Sequence, residues 1–202
     1  MEQFGVHRPP GVPPVGRASV LFVCTGNVCR SPAAELIMRH LLPLPGLDVS
    51  SAGTHALVGE TMPPHAARLL AERGVDSTGF YARQLTADLL DQADLIVTMT
   101  SIQRRHVVLL DPTVLRRTWT LLSLADSLRV VPGAPPDEPR SLRALSDRAA
   151  AHRSTGGGDV PDPFGRNRRA HARVLDLIVP AVAVLAEATH RELLQERLVG
   201  AR

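Results

Sequence analysis

The run Ser19–Val23, SVLFV, is apolar almost throughout and stops abruptly in Cys24-Thr-Gly-Asn-Val-Cys-Arg-Ser-Pro32. Beyond it Ala34, Ile37, Met38 and Leu41 recur at helical spacing and predict one buried helix face. A short apolar strand that feeds a turn and then a helix narrows the choice of folds sharply. Further strands are predicted at Asp48–Ala52, Leu95–Met99 and Thr118–Leu122. Helical patterns lie between them at Pro63–Arg73, stopped by Gly74, and again through Val107 and Leu110. Strands alternating with helices predict an α/β fold, a four-stranded parallel sheet flanked by helices on both faces. Ligands in such sheets bind beyond the carboxyl ends of the strands, and Cys24 lies just there.

The ends and one internal stretch break this rhythm. Residues 1–17, with Pro9, Pro10, Pro13 and Pro14, read as a flexible N-terminal extension, and 18–202 as a single domain. Residues 127–158 carry Pro132, Pro135, Pro136 and Pro139, a short helical pattern from Ser141 to Arg153, and Gly156-Gly-Gly158; they read as an insertion. The last long helix is predicted from Arg168 towards Arg197, with Pro180 kinking or splitting it. Its section Val174–Ala186 is apolar nearly all round, which suits packing inside the chain and against a second copy, a homodimer through the C-terminal helix.

Composition closes several routes. No run approaches the roughly 18 apolar residues of a membrane span, and the N-terminus lacks the apolar core of a secretory signal. The chain holds 2 cysteines in 202 residues, which cannot make a disulfide framework and suits a reducing, cytoplasmic setting. All 23 basic residues are Arg, so the high isoelectric point accompanies a net charge of only +3 and does not imply nucleic-acid binding. The 8 histidines show no metal-ligand spacing; His55, His65, His106 and His171 read as surface or helix-end residues, with no metal site and no cofactor. Arg166, Arg168, Arg169 and Arg173 read as a solvated helix face or as a basic rim for acidic peptides.

Both cysteines lie in the loop between the first strand and the first helix. A loop there presents backbone N–H groups at the positive end of the helix dipole and suits a tetrahedral oxyanion. Gly26 can adopt positive φ freely, and Asn27 tolerates the left-handed region better than most residues. Cys24 would feel the same field together with Arg30, and both favour the nucleophilic thiolate. Arg30 offers a planar fork for two oxyanion oxygens. Ser31 and Pro32 suit the cap and first turn of the helix, although Ser31 can instead donate to the sulfur. A nucleotide loop of the Walker type would need a lysine and a second glycine that are missing here. Small buried hydrophobes would be the ordinary reading of isolated cysteines, but not of Cys-x5-Arg-Ser between a strand and a helix.

The stretch Cys24–Pro32 resembles the signature of low-molecular-weight protein tyrosine phosphatases. The resemblance extends through Ser51-Ala-Gly-Thr54, Ala82-Arg-Gln-Leu-Thr86, Asp94-Leu-Ile-Val-Thr-Met99 and Asp162-Pro-Phe-Gly165, in family order. It implies that fold, a bacterial cytoplasmic enzyme, a phosphorylated protein substrate, and a metal-free mechanism through a phosphocysteine. By the resemblance Cys24 attacks phosphorus, Arg30 and the loop from Thr25 to Cys29, with Gly26 and Val28, hold the phosphoryl oxygens, and Asn27 and Ser31 keep the loop shape and stabilise the thiolate. Asp162 matches the general acid, and Asp159 is its rival. Cleft aromatics found in some members are missing, so stacking on a phosphotyrosine ring rests on Phe164, with Tyr81 as a second candidate. Thr100 stands where some members carry Asp. Protein arginine phosphatases of this fold are the main alternative, and arsenate reductases a weaker one, since relay cysteines are lacking. The arginine enzymes carry Thr where this chain has Val28, which favours phosphotyrosine.

Overall fold

The computed structural model describes residues 18–135, 138–153 and 157–194. The chain runs β1 (Ala18–Cys24), α1 (Arg30–Leu41), β2 (Leu47–Gly53), α2 (Pro64–Ala71), α3 (Ala87–Gln92), β3 (Leu95–Thr98) and α4 (Ser101–Leu110). A 3-10 turn at Pro112–Arg117 then leads to β4 (Thr118–Thr120), α5 (Leu121–Leu128), α6 (Leu142–Ala151) and α7 (Arg168–Leu194). The four strands form one parallel sheet in the order β2-β1-β3-β4.

Alternation along β1 shows why that strand must be apolar. Val20, Phe22 and Cys24 enter a core shared with α1, α2, α5, α6 and α7, whereas Leu21 and Val23 enter a second core with Leu90 of α3 and Val107 of α4. The outer edge of β2 is covered by side chains: Arg39 Nε donates to Val49 O and Arg83 Nε to Ser51 O, each at 2.8 Å. Those guanidinium groups occupy carbonyls that would otherwise invite another strand.

Several expectations are corrected. The fourth strand ends at Thr120, because Leu121, Leu124, Ala125 and Leu128 repeat at helical spacing and bury the inner face of α5. Leu41 is 47% exposed at the end of α1, and Leu42 takes the buried position instead. α7 is not split at Pro180, which lies inside one helix from Arg168 to Leu194. His171 does lie in the first turn of α7 but is buried rather than at the surface; its ring lies 6.0 Å from that of His65, and burial, then His65, pulls its pKa below 6.5 against the opposing pull of Asp162. The stretch from 1 to 17 lies outside the described residues.

The segment read as an insertion contributes to the main core. Leu142, Leu145 and Ala149 of α6 are buried there, Ser141 caps the helix by accepting from Ala144 N, and Trp119 Nε1 donates to Ser146 Oγ at 2.8 Å. Arg148 joins α6 to Glu192 of α7.

Candidate active site

The strand order reverses direction at β1 and β3, so the loop after β1 opens into the crevice beyond their carboxyl ends. Its backbone is pinned from outside: Thr54, His55 and Leu57 donate their N–H groups to the carbonyls of Cys24, Thr25 and Gly26 at 2.9, 3.0 and 3.0 Å. With those carbonyls turned outward, the N–H side of the loop faces inward, as an anion requires. Gly53 permits this close approach, since a Cβ there would stand 2.5 Å from Thr25 O.

Asn27, not Gly26, takes the left-handed turn. Its φ is +55°, and it is the one non-glycine residue with positive φ among the described residues. The fully buried Asn27 side chain holds this conformation from three sides. Nδ2 donates to Ser31 Oγ (2.9 Å) and Ser51 Oγ (2.8 Å), and Oδ1 accepts from Arg83 N (2.9 Å). Ser51 Oγ in turn donates to the buried Glu35 carboxylate at 2.6 Å. Burial raises the pKa of Glu35 above 4.5, opposed by the hydrogen bond from Ser51 and the charge of Arg39.

Cys24 Sγ accepts from Ser31 Oγ at 3.0 Å and from Asn27 N at 3.3 Å. The two bonds fix where the sulfur points. Ser31 therefore faces the nucleophile, and the cap position falls to Cys29, which makes no side-chain cap bond. Cys29 packs with Val28 and Ala82, and its thiol is pushed up to about 12 by burial, then by Cys24 and Asp162, with Arg30 opposing. Both sulfurs are free thiols.

Arg30 is 4% exposed, Nη2 pairing with Asp162 Oδ2 at 2.6 Å and Nη1 donating to Val160 O at 3.2 Å. Its Nε is buried and has no partner among the described residues. Asp162, at the other end of the chain, is held there and by Phe164 N, which donates to Oδ1 at 3.1 Å. Its rival Asp159 accepts from Ser101 N and Ser101 Oγ instead.

These groups converge on a cavity of about 180 Å³, lined by the loop, Arg30 and Asp162, with His55, Leu57 and Phe164 at its walls. Asn27 and Ser31 lie behind the loop rather than in the cavity. Tyr81 does not reach it; it lines a larger cavity of about 370 Å³ beyond Ser51, with Glu35 and Arg39, whose lining holds no cysteine. The smaller cavity is the candidate site, because among the described residues it brings sulfur, guanidinium and carboxylate together. His55 and Leu57 come from the stretch after β2 where the family resemblance puts a cleft aromatic in some members; with that aromatic missing, neither residue stood out as a wall of the site. His55 also stacks edge-on against His106 of α4, ring centres 5.3 Å apart.

The family model for low molecular weight phosphotyrosine protein phosphatases matches residues 19–126, just over half the chain and the whole of the loop. The chain belongs to this family. The phosphatase Etp of Escherichia coli K12 is 42% identical over 100 residues, which cover 50% of this chain and 66% of Etp. The chain thus spans just under two thirds of the length of that relative. The match to the phosphatase Wzb of Salmonella typhi is longer, 32% identical over 173 residues, 86% of this chain and 95% of Wzb. Among solved structures, the YwlE arginine phosphatase of Geobacillus stearothermophilus superposes with a TM-score of 0.68 at 28% identity, covering 92% of this chain and 97% of that one.

Proposed function

We propose that this family member hydrolyses phosphotyrosine in proteins through a phosphocysteine on Cys24. The observation that carries the reading is the buried Arg30 guanidinium in the same cavity as a sulfur that accepts two hydrogen bonds. Cys24 attacks phosphorus while the loop amides and Arg30 hold the equatorial oxygens, whose charge grows in the transition state. Asp162 gives its proton to the leaving phenolate, then takes one from the water that cleaves the phosphocysteine. The Arg30–Asp162 pair describes the free enzyme; an incoming phosphoryl group displaces the carboxylate from the guanidinium, and Asp162 takes up a proton from solvent before it serves as the acid. Phe164 and Leu57 supply apolar walls for a ring, in place of the missing cleft aromatics.

Likeness to an arginine phosphatase supports a second reading of the same chemistry. Val28 weighs against it, because it lines the cavity with methyl groups where a hydroxyl would contact a phosphoguanidinium or its attacking water. Phosphotyrosine peptides are expected to turn over faster than phosphoarginine peptides, with Val28→Thr moving the ratio towards arginine. Faster phosphoarginine turnover by the unaltered protein overturns the substrate assignment.

A mechanism that starts from a free thiol suits a reducing, cytoplasmic compartment. Among the described residues no helix is long and apolar enough to cross a membrane. A homodimer through α7 is the less supported part of the reading, since Val174, Leu175, Ile178, Val182 and Leu185 are buried within the chain. Light scattering distinguishes monomer from dimer.

A further inference from the structure

The first turn of α4 touches both halves of the candidate site. Thr100 caps the helix, and Gln103, 4% exposed, closes a reciprocal box by accepting from Thr100 N at 3.0 Å. The same Gln103 side chain donates through Nε2 to Thr25 Oγ1 of the cysteine loop at 3.0 Å. One residue into the helix, Ser101 gives its N–H to Asp159 Oδ1 at 2.7 Å and its hydroxyl to Asp159 Oδ2 at 3.1 Å. The helix dipole favours a carboxylate at this point.

From Asp159 to Asp162 the chain has little freedom. Val160 is fully buried, with its N–H on Met99 O at 2.9 Å and its carbonyl on Arg30. Pro161 and Pro163 flank Asp162 and fix φ on both sides of it. Just upstream, Gly157 passes so close to Ser123 that a Cβ would stand 2.6 Å from its backbone. Asp162 is itself half exposed and tied to Arg30. That tie breaks when a phosphoryl group takes the guanidinium, and the place of the acid is then set by the stiff segment behind it.

We propose that Asp159 is a positioning residue for the general acid: its bidentate hold on Ser101 registers the acid loop against α4, and Gln103 registers α4 against the nucleophile loop. The inference rests on Asp162 being the acid. Loss of the hold lets Asp162 drift, and drift slows only those substrates whose leaving group needs a proton.

The test compares kcat/KM for p-nitrophenyl phosphate, a good leaving group, with phenyl phosphate, a poor one, alongside inhibition by inorganic phosphate. Asp162→Asn raises the ratio of good to poor about 100-fold, in line with loss of a general acid. Asp159→Ala raises it about tenfold, as a displacement of well under 1 Å would, and leaves the phosphate inhibition constant unchanged. Asp159→Asn, which still accepts from Ser101 N but has no proton to give, keeps the ratio near that of the parent. In an Asp162→Asn background Asp159→Ala adds nothing further. Should Asp159→Ala fold poorly, Ser101→Pro removes the same N–H donor from the opposite side, at a first-turn position that accepts proline, after a Thr100 already extended at φ −142° and ψ 159°. It should reproduce the tenfold shift. An unchanged ratio in both Asp159→Ala and Ser101→Pro overturns the inference, as does an equal loss on both substrates. An Asp159→Asn variant as impaired as Asp159→Ala makes Asp159 the acid and overturns it too. If Asp162→Asn leaves the ratio unmoved, the acid assignment itself fails and the inference falls with it.

Discussion

Replacing Asn27 with Ala removes three buried hydrogen bonds, to Ser31, to Ser51 and from Arg83 N. At about 1 kcal/mol each the loss is about 3 kcal/mol. Alanine at φ +55° adds about 1 kcal/mol of backbone strain that Asn tolerates better. The sum, about 4 kcal/mol, is a large share of the roughly 5–15 kcal/mol available to a domain. Asn27→Gly separates the two effects. Glycine relieves the strain but restores no hydrogen bond, so it should sit about 1 kcal/mol above the alanine variant, less what its freer unfolded chain gives back. Urea unfolding of parent, Ala and Gly variants reads these differences directly. Both variants should also lose turnover, because Ser31 is no longer oriented towards Cys24 Sγ. A loss below about 1 kcal/mol for Asn27→Ala would refute the reasoning; so would a glycine variant clearly less stable than the alanine one.

Cys29 is a buried thiol raised to about 12, so iodoacetamide at neutral pH should label Cys24 and spare Cys29; equal labelling of both contradicts the burial argument. Peroxide should nonetheless inactivate reversibly by joining the two sulfurs, and Cys29→Ala should recover poorly on adding thiol; full recovery removes the protective role. Glu35 has a folded pKa raised above 4.5 by burial, so the folded state holds a proton that the unfolded state has already released. Its contribution to stability therefore falls as pH rises from about the ordinary carboxylate value through the raised one, and Glu35→Gln should remove that limb from unfolding free energies measured across acid pH. An identical limb in the variant assigns it to another group.

The parts legible in the sequence were those decided by local pattern. β1, its cysteine loop and α1 follow from an apolar run, turn residues and helical spacing inside the one stretch Ala18–Leu41. What escaped was decided by partners far along the chain. Asn27 bonds Ser51 and Arg83, 24 and 56 residues away, which explains why Asn rather than Gly turns the loop. Asp159 resembles an acid in sequence, but its hydrogen-bond donor Ser101 lies 58 residues upstream at the start of α4. α5 was hidden by leucines that suit a strand as well as a helix, and only their burial on one face decides between them.

The central claim is that phosphorus passes through Cys24. A rapid acid quench of the enzyme with a radiolabelled phosphotyrosine peptide, followed by peptide mapping, tests it directly. The label should appear within the first turnover on the peptide that contains Cys24, decay as phosphate is released, and be absent from Cys24→Ser on the same timescale. Label on any other residue, or sustained turnover by Cys24→Ser, would contradict the account.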